Sequence, residues 1–330
     1  MKHVLTAVLF ALSLVLASCS SGERVGAEDP TPARTVSPLA GKSLYSDPQN
    51  NAKVMHDGLL AQGRVDVAKA IKPLLSSPSA IWFGGQGNPY PRVDRVMTAA
   101  TAAGKLPVLV VYNIPGRDCG LYSAGGLPDR DAYLSWVGSF AAALKNRQAI
   151  VILEPDAVAH SLSDCTTDES AERHRTLALA VAILKRETSV RLYLDAGNAS
   201  WIADFGKLST ALQASGIKEA DGFALNVSNF ETTSTSAAYG QTLSKAVGGK
   251  PFVIDVSRNG AGAPPNSADH SSWCNPVSAR LGKPPTTNPG LELVDALLWI
   301  KHPGDSDGRC RPGAPPAGEW FMELALQLVR

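Results

Sequence analysis

The chain is poor in the features that mark several common protein classes. Its 31 basic and 30 acidic side chains leave a net charge of +1, and no stretch concentrates Lys and Arg, which argues against a nucleic-acid-binding surface. It has no GxGxxG turn of the kind that dinucleotide-binding folds use. It also has no CxxC or HxH spacing, which argues against a zinc site. What is left is a neutral chain with no sign of a cofactor.

Long apolar runs are also scarce, and the first one is too short to span a bilayer comfortably. Val4–Leu16 follows Lys2 and His3 and leads into Leu16-Ala17-Ser18-Cys19, a pattern that resembles the signal and cleavage box of a bacterial lipoprotein. We expect residues 1–19 to be a signal peptide, with Cys19 lipidated and the mature protein anchored on the outer side of the cytoplasmic membrane. A plain secretory signal would give the same compartment without the anchor.

The composition changes twice after this signal. Residues 20–40 are rich in Ser, Gly, Glu, Pro and Thr and predict a disordered tether. Residues 41–330 show no second linker, so we expect them to form a single folded domain. No feature indicates an oligomer, and a monomer is expected.

Cysteine is rare, with five residues in the whole chain. If Cys19 carries lipid, an even number remains, which suits disulfides in an oxidising compartment. These four, each beside a predicted strand-end loop, are Cys119, Cys165, Cys274 and Cys310. Four cysteines allow three pairings, of which the nearest-neighbour choice would join two pairs of loops.

The folded part alternates strand and helix patterns. Seven apolar runs read as strands, namely Ala80–Phe83, Leu106–Tyr112, a run from Val151, Val190–Leu194, Phe223–Val227, Phe252–Val256 and Val294–Ile300. Helical patterns lie between them, including Pro91–Ala103, Asp129–Lys145, Ser234–Val247 and a helix that Thr166 and Glu169 would cap. Such alternation predicts an α/β fold with a parallel sheet wrapped by helices, and seven strands favour a TIM-like β/α barrel.

Polar side chains recur where the predicted strands end. The stretch that begins at Val151 breaks into Glu154-Pro155-Asp156, and the other ends carry Trp82, Asp118, Asp195, Asn226 with Asn229, Asp255, and Lys301 with Asp305 and Asp307. In barrels this rim houses the chemistry. Carboxylates clustered there suit either divalent-cation binding or acid–base work on a neutral polymer. Trp82, Trp201 and Trp273 favour the polymer, because indoles make stacking platforms for sugar rings.

The same segments resemble glycoside hydrolase family 6, the inverting β-1,4-glucanases. The two signatures correspond to Val111–Gly126 and Val151–Ala159. Further matching segments are Asp195-Ala196-Gly197, Asn226–Phe230, Asp255–Gly260, Trp273-Cys274 and Trp299–Gly308. The resemblance runs from about residue 41 to the end of the chain and implies a single catalytic domain, a distorted seven-stranded β/α barrel, that binds a β-glucan polysaccharide or oligosaccharide.

The resemblance also implies residue roles. Asp156 matches the general acid, Asp118 the aspartate that supports it, and Asp307 the aspartate usually proposed as base. Tyr112 matches the tyrosine under the distorted sugar ring, and Ser123 the loop serine that helps place water. The implied substrate contacts are Trp82, Asp195, Asn198, Trp201, Asn229, Trp273, Lys301 and Asp305. The implied disulfides are Cys119–Cys165 and Cys274–Cys310.

Two positions depart from the family pattern. Asn198 stands where the family usually has His, and Asp305 where it usually has Glu; both are expected to affect substrate preference and rate. The resemblance implies a glucan hydrolase that needs neither metal nor organic cofactor. We expect it to be endo-acting, because only fourteen positions separate Asn259 from Trp273 and leave little chain for a roof over the groove. The alternatives are a cellobiohydrolase, a carbohydrate-binding lipoprotein without turnover, and a metal-dependent hydrolase.

Overall fold

The structure, a computed structural model, describes residues 36–163, 167–265 and 273–330, and the side chains of all of these except 167–169. Several predicted features lie outside the described residues, namely the signal peptide with Cys19, most of the tether, Cys165 and Thr166. Among the described helices, none has the length and apolar character needed to cross a membrane.

Seven strands form one parallel sheet whose spatial order follows the chain. They are β1 Ile81–Phe83, β2 Val108–Val111, β3 Ala149–Leu153, β4 Val190–Asp195, β5 Gly222–Leu225, β6 Phe252–Asp255 and β7 Val294–Leu298. The sheet curls until its two edges meet at a backbone hydrogen bond, 2.8 Å from Ala80 N to Trp299 O. Within the described residues β1 and β7 share no strand ladder, so the barrel is distorted, as predicted.

Nine α-helices lie in the described residues. They are α1 Asn51–Ala61, α2 Val65–Ile71, α3 Tyr90–Ala102, α4 Arg130–Leu144, α5 Ala157–Ser163, α6 Thr167–Leu184, α7 Phe205–Ala214, α8 Thr233–Ala246 and α9 Met322–Leu328. Most match the predicted helices within a few residues. The sequence patterns missed α5, which begins directly after Asp156. The proline after Glu154 signals the end of the strand, but it does not indicate which element comes next.

The core has two layers because successive strand residues face opposite sides of the sheet. On β2, Leu109 and Val111 pack against the surrounding helices, whereas Val110 faces the barrel interior. Leu39 also belongs to the interior cluster, and nearby Ser37 Oγ donates to Asp295 O at 3.3 Å. The fold therefore begins a few residues before the predicted boundary at residue 41.

Candidate active site

A groove of about 860 Å³ lies over the rim where the strands end. It is lined by twelve of the predicted site residues, namely Trp82, Tyr112, Asp118, Ser123, Asp156, Asn198, Trp201, Asn229, Trp273, Lys301, Asp305 and Asp307. These residues are spread over more than 200 positions of sequence, and the parallel sheet brings them together because the carboxyl ends of all its strands share one edge.

Asp156 follows β3 and faces this groove. Its backbone adopts a left-handed conformation with φ 70°, as does Glu154 with φ 46°, and the Asp156 N–H donates to Asp195 Oδ1 at 2.9 Å. The pKa of the Asp156 carboxyl is raised to about 6, and burial is the largest cause. The negative charges of Asp118 and Asp307 also raise this pKa, whereas His160 and Lys301 lower it. Asp156 can therefore hold a proton in mildly acidic solution.

Asp118 lies in a tight turn after β2, with φ 60°. Its Oδ2 accepts the Ser123 N–H at 2.5 Å, and its Oδ1 lies 3.3 Å from His160 Nε2. Arg117 fixes the rest of the loop by donating to Ser123 O and to Tyr112 O, both at 2.8 Å. Gly126, with φ 95°, closes the loop, since a Cβ there would lie 1.9 Å from Ile114 O. Both oxygens of Asp118 are thus held.

Asp307 is the most strongly paired carboxylate in the groove. Its Oδ2 accepts from Arg258 at 2.8 Å and from the Asn275 N–H at 2.9 Å, and its Oδ1 lies 3.2 Å from Lys301 Nζ. Burial by itself would raise the pKa of Asp307, but the charges of Arg258 and Lys301 outweigh burial and lower that pKa. Asp307 is therefore ionised, and its ion pairs weaken it as a base.

Asp195 lies apart from the other predicted substrate contacts. It is fully buried, and it is absent from the groove lining. Its Oδ1 accepts the N–H groups of Asp156 and Gly197, and its Oδ2 has no hydrogen-bond partner among the described residues. Burial, and then the charge of Asp156, raise its pKa well above the ordinary value. In this structure Asp195 supports the turn that carries Asp156, and its contact with substrate stays a prediction.

Asp255 has a similar supporting role. Its Oδ1 accepts the N–H groups of Ser257 and Ile300, and its Oδ2 accepts those of Ser228 and Lys301, at 2.9–3.2 Å. This buried carboxylate therefore joins the loops that follow β5, β6 and β7. Because four backbone donors converge on it, Asp255 fixes the backbone from which the Lys301 side chain reaches the groove.

Tryptophans stand at three places along the groove. The Trp82 indole donates to Ile300 O at 2.8 Å and packs edge-on against Tyr112, with ring centroids 5.3 Å apart. The ring of Trp273 lies 5.9 Å from that of Tyr122, so the loop after β2 touches the loop before β7. The Trp201 indole packs edge-on against His160 at 4.7 Å.

The two departures from the family pattern both lie in the groove. Asn198 Oδ1 accepts the Ser200 N–H at 3.1 Å. Asp305 Oδ2 accepts from Asn51 Nδ2 at 2.9 Å and lies 3.0 Å from His302 Nδ1. Asp305 Oδ1 is buried and has no hydrogen-bond partner in the described part of the chain.

The sequence-based assignment left out seven titratable residues that line the groove, namely Asp47, Arg92, Arg117, Tyr122, His160, Glu231 and His302. It also left out Arg258, which does not line the groove but contacts a residue that does. Arg258 was quoted only as part of a motif, yet it is fully buried and pairs with Asp307. The sequence signal for His160 was its spacing of four residues from Asp156, which brings the two to one side only if the segment is helical, and the sequence patterns missed that helix. Asp118, Asp156 and His160 place one oxygen or nitrogen atom each within 4.8 Å of one another, a spacing that a metal ion could bridge.

The Cys274–Cys310 disulfide is present as predicted. It lies beside Asp307, because Asn275 donates its N–H to Asp307 Oδ2 at 2.9 Å and its Nδ2 to Gly308 O at 2.9 Å. Cys119 is also disulfide-bonded. Its predicted partner, Cys165, lies outside the described residues, so that pairing stays a prediction.

Comparisons with known proteins agree with this geometry. The family model for glycosyl hydrolases family 6 matches residues 39–330. The chain is 43% identical over 264 residues to endoglucanase A of Cellulomonas fimi, covering 79% of this chain but only 56% of that protein. It is 36% identical over 339 residues to endoglucanase 1 of Streptomyces halstedii, covering 99% of this chain and 98% of that protein.

A solved structure supports the same relationship. The endoglucanase Cel6 from Mycobacterium tuberculosis, in complex with methyl-cellobiosyl-4-deoxy-4-thio-β-D-cellobioside, superposes with a TM-score of 0.82 at 38% sequence identity. The match covers 88% of this chain and 98% of that one. The likeness therefore extends over most of this chain.

Proposed function

The chain belongs to glycosyl hydrolase family 6, and on that basis we propose that it is an inverting, endo-acting hydrolase of β-1,4-glucosidic bonds. The observation that carries the proposal is the contrast between two carboxyls in one groove. Asp156 has a raised pKa and Asp307 a lowered one. Pairs of acids whose environments separate their pKa values in this way are typical of acid–base catalysis.

In the proposed mechanism Asp156 donates its proton to the glycosidic oxygen as the bond to the anomeric carbon breaks. Water attacks the opposite face of that carbon, which inverts its configuration. Asp118 keeps negative charge beside Asp156 and so favours its protonated form. Asp307 stays ionised and is the proposed acceptor of the proton that the attacking water loses.

The rest of the groove supplies sugar-binding surfaces. We assign stacking of sugar rings to Trp82, Trp201 and Trp273, and contacts with hydroxyl groups to Asn198, Asn229, Lys301 and Asp305. Tyr112, whose ring lies beside Trp82, is assigned to the ring at the cleavage point, and Ser123 to placing the water. Indoles contact the apolar faces of sugars while polar groups pair with their edges.

We propose further that the protein is exported and acts as a monomer. The Cys274–Cys310 disulfide suits an oxidising compartment. The lipid anchor at Cys19 remains a prediction that intact-mass measurement of membrane-extracted protein would test. A diacylglycerol-sized mass increase on the mature chain that Cys19→Ala abolishes is the expected result.

The decisive experiment is hydrolysis of soluble β-1,4- and mixed-linkage glucans with two simultaneous measurements. Viscosity of carboxymethylcellulose is expected to fall before many reducing ends appear, because an endo-acting enzyme cuts within the polymer. NMR is expected to show the α-anomer as the first product from cellooligosaccharides. Early accumulation of cellobiose with unchanged viscosity would indicate a cellobiohydrolase, and a β-anomer would contradict inversion.

A second candidate function, metal-dependent hydrolysis, has the Asp118, Asp156 and His160 grouping in its favour. The same assay with EDTA, and with Zn²⁺ or Mn²⁺ added back, separates the two. We expect activity to be unchanged by EDTA, because the acid–base mechanism uses only side chains. Loss of activity on chelation with recovery on metal addition would instead support the metal-dependent mechanism.

A further inference from the structure

His160 lies one helical turn beyond Asp156. Its N–H donates to Asp156 O at 2.8 Å, and this bond closes the first turn of α5. The side chain is 5% exposed and forms part of the groove wall. The same short helix therefore carries Asp156 at its beginning and His160 on the side that faces the groove.

The imidazole contacts the other carboxylate of the pair. His160 Nε2 lies 3.3 Å from Asp118 Oδ1, whereas Asp118 Oδ2 is already held by the Ser123 N–H. An ionised carboxylate only accepts hydrogen bonds, so the proton in this contact belongs to His160 Nε2. Within the described part of the chain each oxygen of Asp118 thus has one donor, and the His160 donor comes from the helix that begins directly after Asp156.

The turn that holds Asp118 needs such an anchor. Asp118 and the following Cys119 have φ values of 60° and 48°, in the left-handed region that side chains with a Cβ rarely adopt and that surrounding contacts must enforce. Side-chain contacts also fix the imidazole ring. It packs edge-on against Trp201 at 4.7 Å, and the Trp201 indole donates to Ser163 Oγ, also on α5, at 3.1 Å.

We propose that His160 is a positioning residue for the catalytic carboxyl pair, holding Asp118 in place beside Asp156 by donating its Nε2 proton to Asp118 Oδ1. This inference rests on the proposed function. It predicts that the contact with Asp118 is the main way in which His160 acts on the reaction, and that His160 does not contact the bond that is cleaved. A neutral side chain that can donate from the same place should therefore replace it. The charge of His160 also lowers the pKa of Asp156, an effect that a neutral replacement would remove.

The test compares three variants on carboxymethylcellulose and cellopentaose. His160→Ala removes the donor, and its kcat is expected to fall on the order of 10²-fold with little change in KM, since a misplaced catalytic group costs that much. His160→Gln offers an amide N–H at similar reach and is expected to recover most of the loss. His174→Gln is the matched control, because His174 Nε2 contacts Ser161 Oγ of the same helix at 2.7 Å but does not line the groove. It should retain wild-type activity.

A double-mutant cycle separates positioning from general structural damage. In an Asp118→Asn background, His160→Ala is expected to cost little more, because effects that act through one partner are not additive. Melting curves for every variant check folding. The proposal is overturned if His160→Ala equals the wild type, if His160→Gln is as impaired as His160→Ala, or if the His160→Ala loss is equally large in both backgrounds.

An inactive wild-type chain would refute the proposed function rather than the contact itself. Imidazole ¹⁵N NMR therefore accompanies the kinetics. We expect a protonated Nε2 for His160 whose signal shifts in Asp118→Asn. A neutral Nδ1–H tautomer that is insensitive to Asp118→Asn would contradict the positioning role whatever the kinetics show.

Discussion

The pKa of Asp156 sets the alkaline limit of the proposed activity, and Asp118→Asn is expected to move that limit to lower pH. Asp156 must be protonated to assist departure of the leaving group. Burial is the largest cause of its raised pKa, and Asp118 is the neighbour that contributes most in the same direction. Replacing Asp118 with neutral Asn removes the charge and keeps the size of the side chain.

The magnitude can be worked out from the pKa. With a pKa of about 6 instead of 3.8, roughly one Asp156 in eleven is protonated at pH 7, against about one in 1,600 for an ordinary aspartate. Most of this gain comes from burial and survives in the variant. Loss of a like charge whose oxygen lies within 4.8 Å of Asp156 should lower the pKa by on the order of one pH unit.

The assay is the pH profile of kcat/KM on cellopentaose, which reports the groups that titrate in the free enzyme. Asp118→Asn should shift the descending limb toward acid in addition to lowering its maximum. Lys301→Met is the opposing variant, because Lys301 lowers the pKa of Asp156, and it should shift the limb toward higher pH. If the descending limb of the profile lies at the wild-type pH in both variants, Asp156 is not the acid that titrates there.

Three further expectations concern single side chains and the disulfides. Asp156→Asn should keep oligosaccharide binding but lose several orders of magnitude in kcat on cellooligosaccharides. The loss should be much smaller on a dinitrophenyl cellobioside, because its leaving group needs no proton. Equal losses on both substrates would count against an acid role. Arg258→Met should lower the free energy of unfolding by about 3–5 kcal/mol at pH 7, since it leaves buried Asp307 with one cation fewer. Because the pKa of Asp307 is lowered in the fold, this deficit should shrink as the pH falls below the ordinary aspartate range; a deficit independent of pH would contradict the ion-pair explanation. Non-reducing peptide mapping should find Cys119–Cys165 and Cys274–Cys310, and a crossed pairing would refute the loop arrangement.

Most of the fold was predictable because buried parallel strands have a strong pattern. Runs such as Leu192–Leu194 and Val108–Val111 are buried on both faces of the sheet. An unbroken apolar run of this kind is typical of a parallel strand that is covered on both sides. The helix α5 was not predictable in the same way. It has seven residues, too few to show an amphipathic period, and its first turn follows a residue in a left-handed conformation.

The site was predictable in composition but not in detail. The sequence identified the strand ends as the functional rim, and the groove does contain twelve of the predicted residues. It did not identify the partners that set their chemistry. The contact of Arg258 with Asp307 and that of His160 with Asp118 join residues 49 and 42 positions apart. A local sequence pattern cannot indicate a contact between residues that are so far apart in the chain.

The alternation of side chains along a strand distinguishes the rim carboxylates that are buried from those that face the groove. The positions of the strand ends alone do not make this distinction. On β4 Tyr193 faces the barrel interior, so Asp195, two residues later, continues that side and is buried. On β6 Val253 faces the interior, and Asp255 is buried for the same reason. A carboxylate at the last interior-facing position lies beneath the rim, where backbone N–H groups of neighbouring loops are its nearest donors.

Asp156 differs from these two acids because it does not belong to a strand. Two residues, Glu154 and Pro155, separate it from β3, and the left-handed conformations of Glu154 and Asp156 turn the chain into α5. Its carboxyl therefore reaches the groove, while its N–H rests on Asp195. Asp195 thus fixes the backbone of Asp156, and the Asp156 carboxyl is left facing the groove, where it can act as the proposed acid. Once the structure shows which strand position is the last to face the interior, counting residues past it separates the two acids.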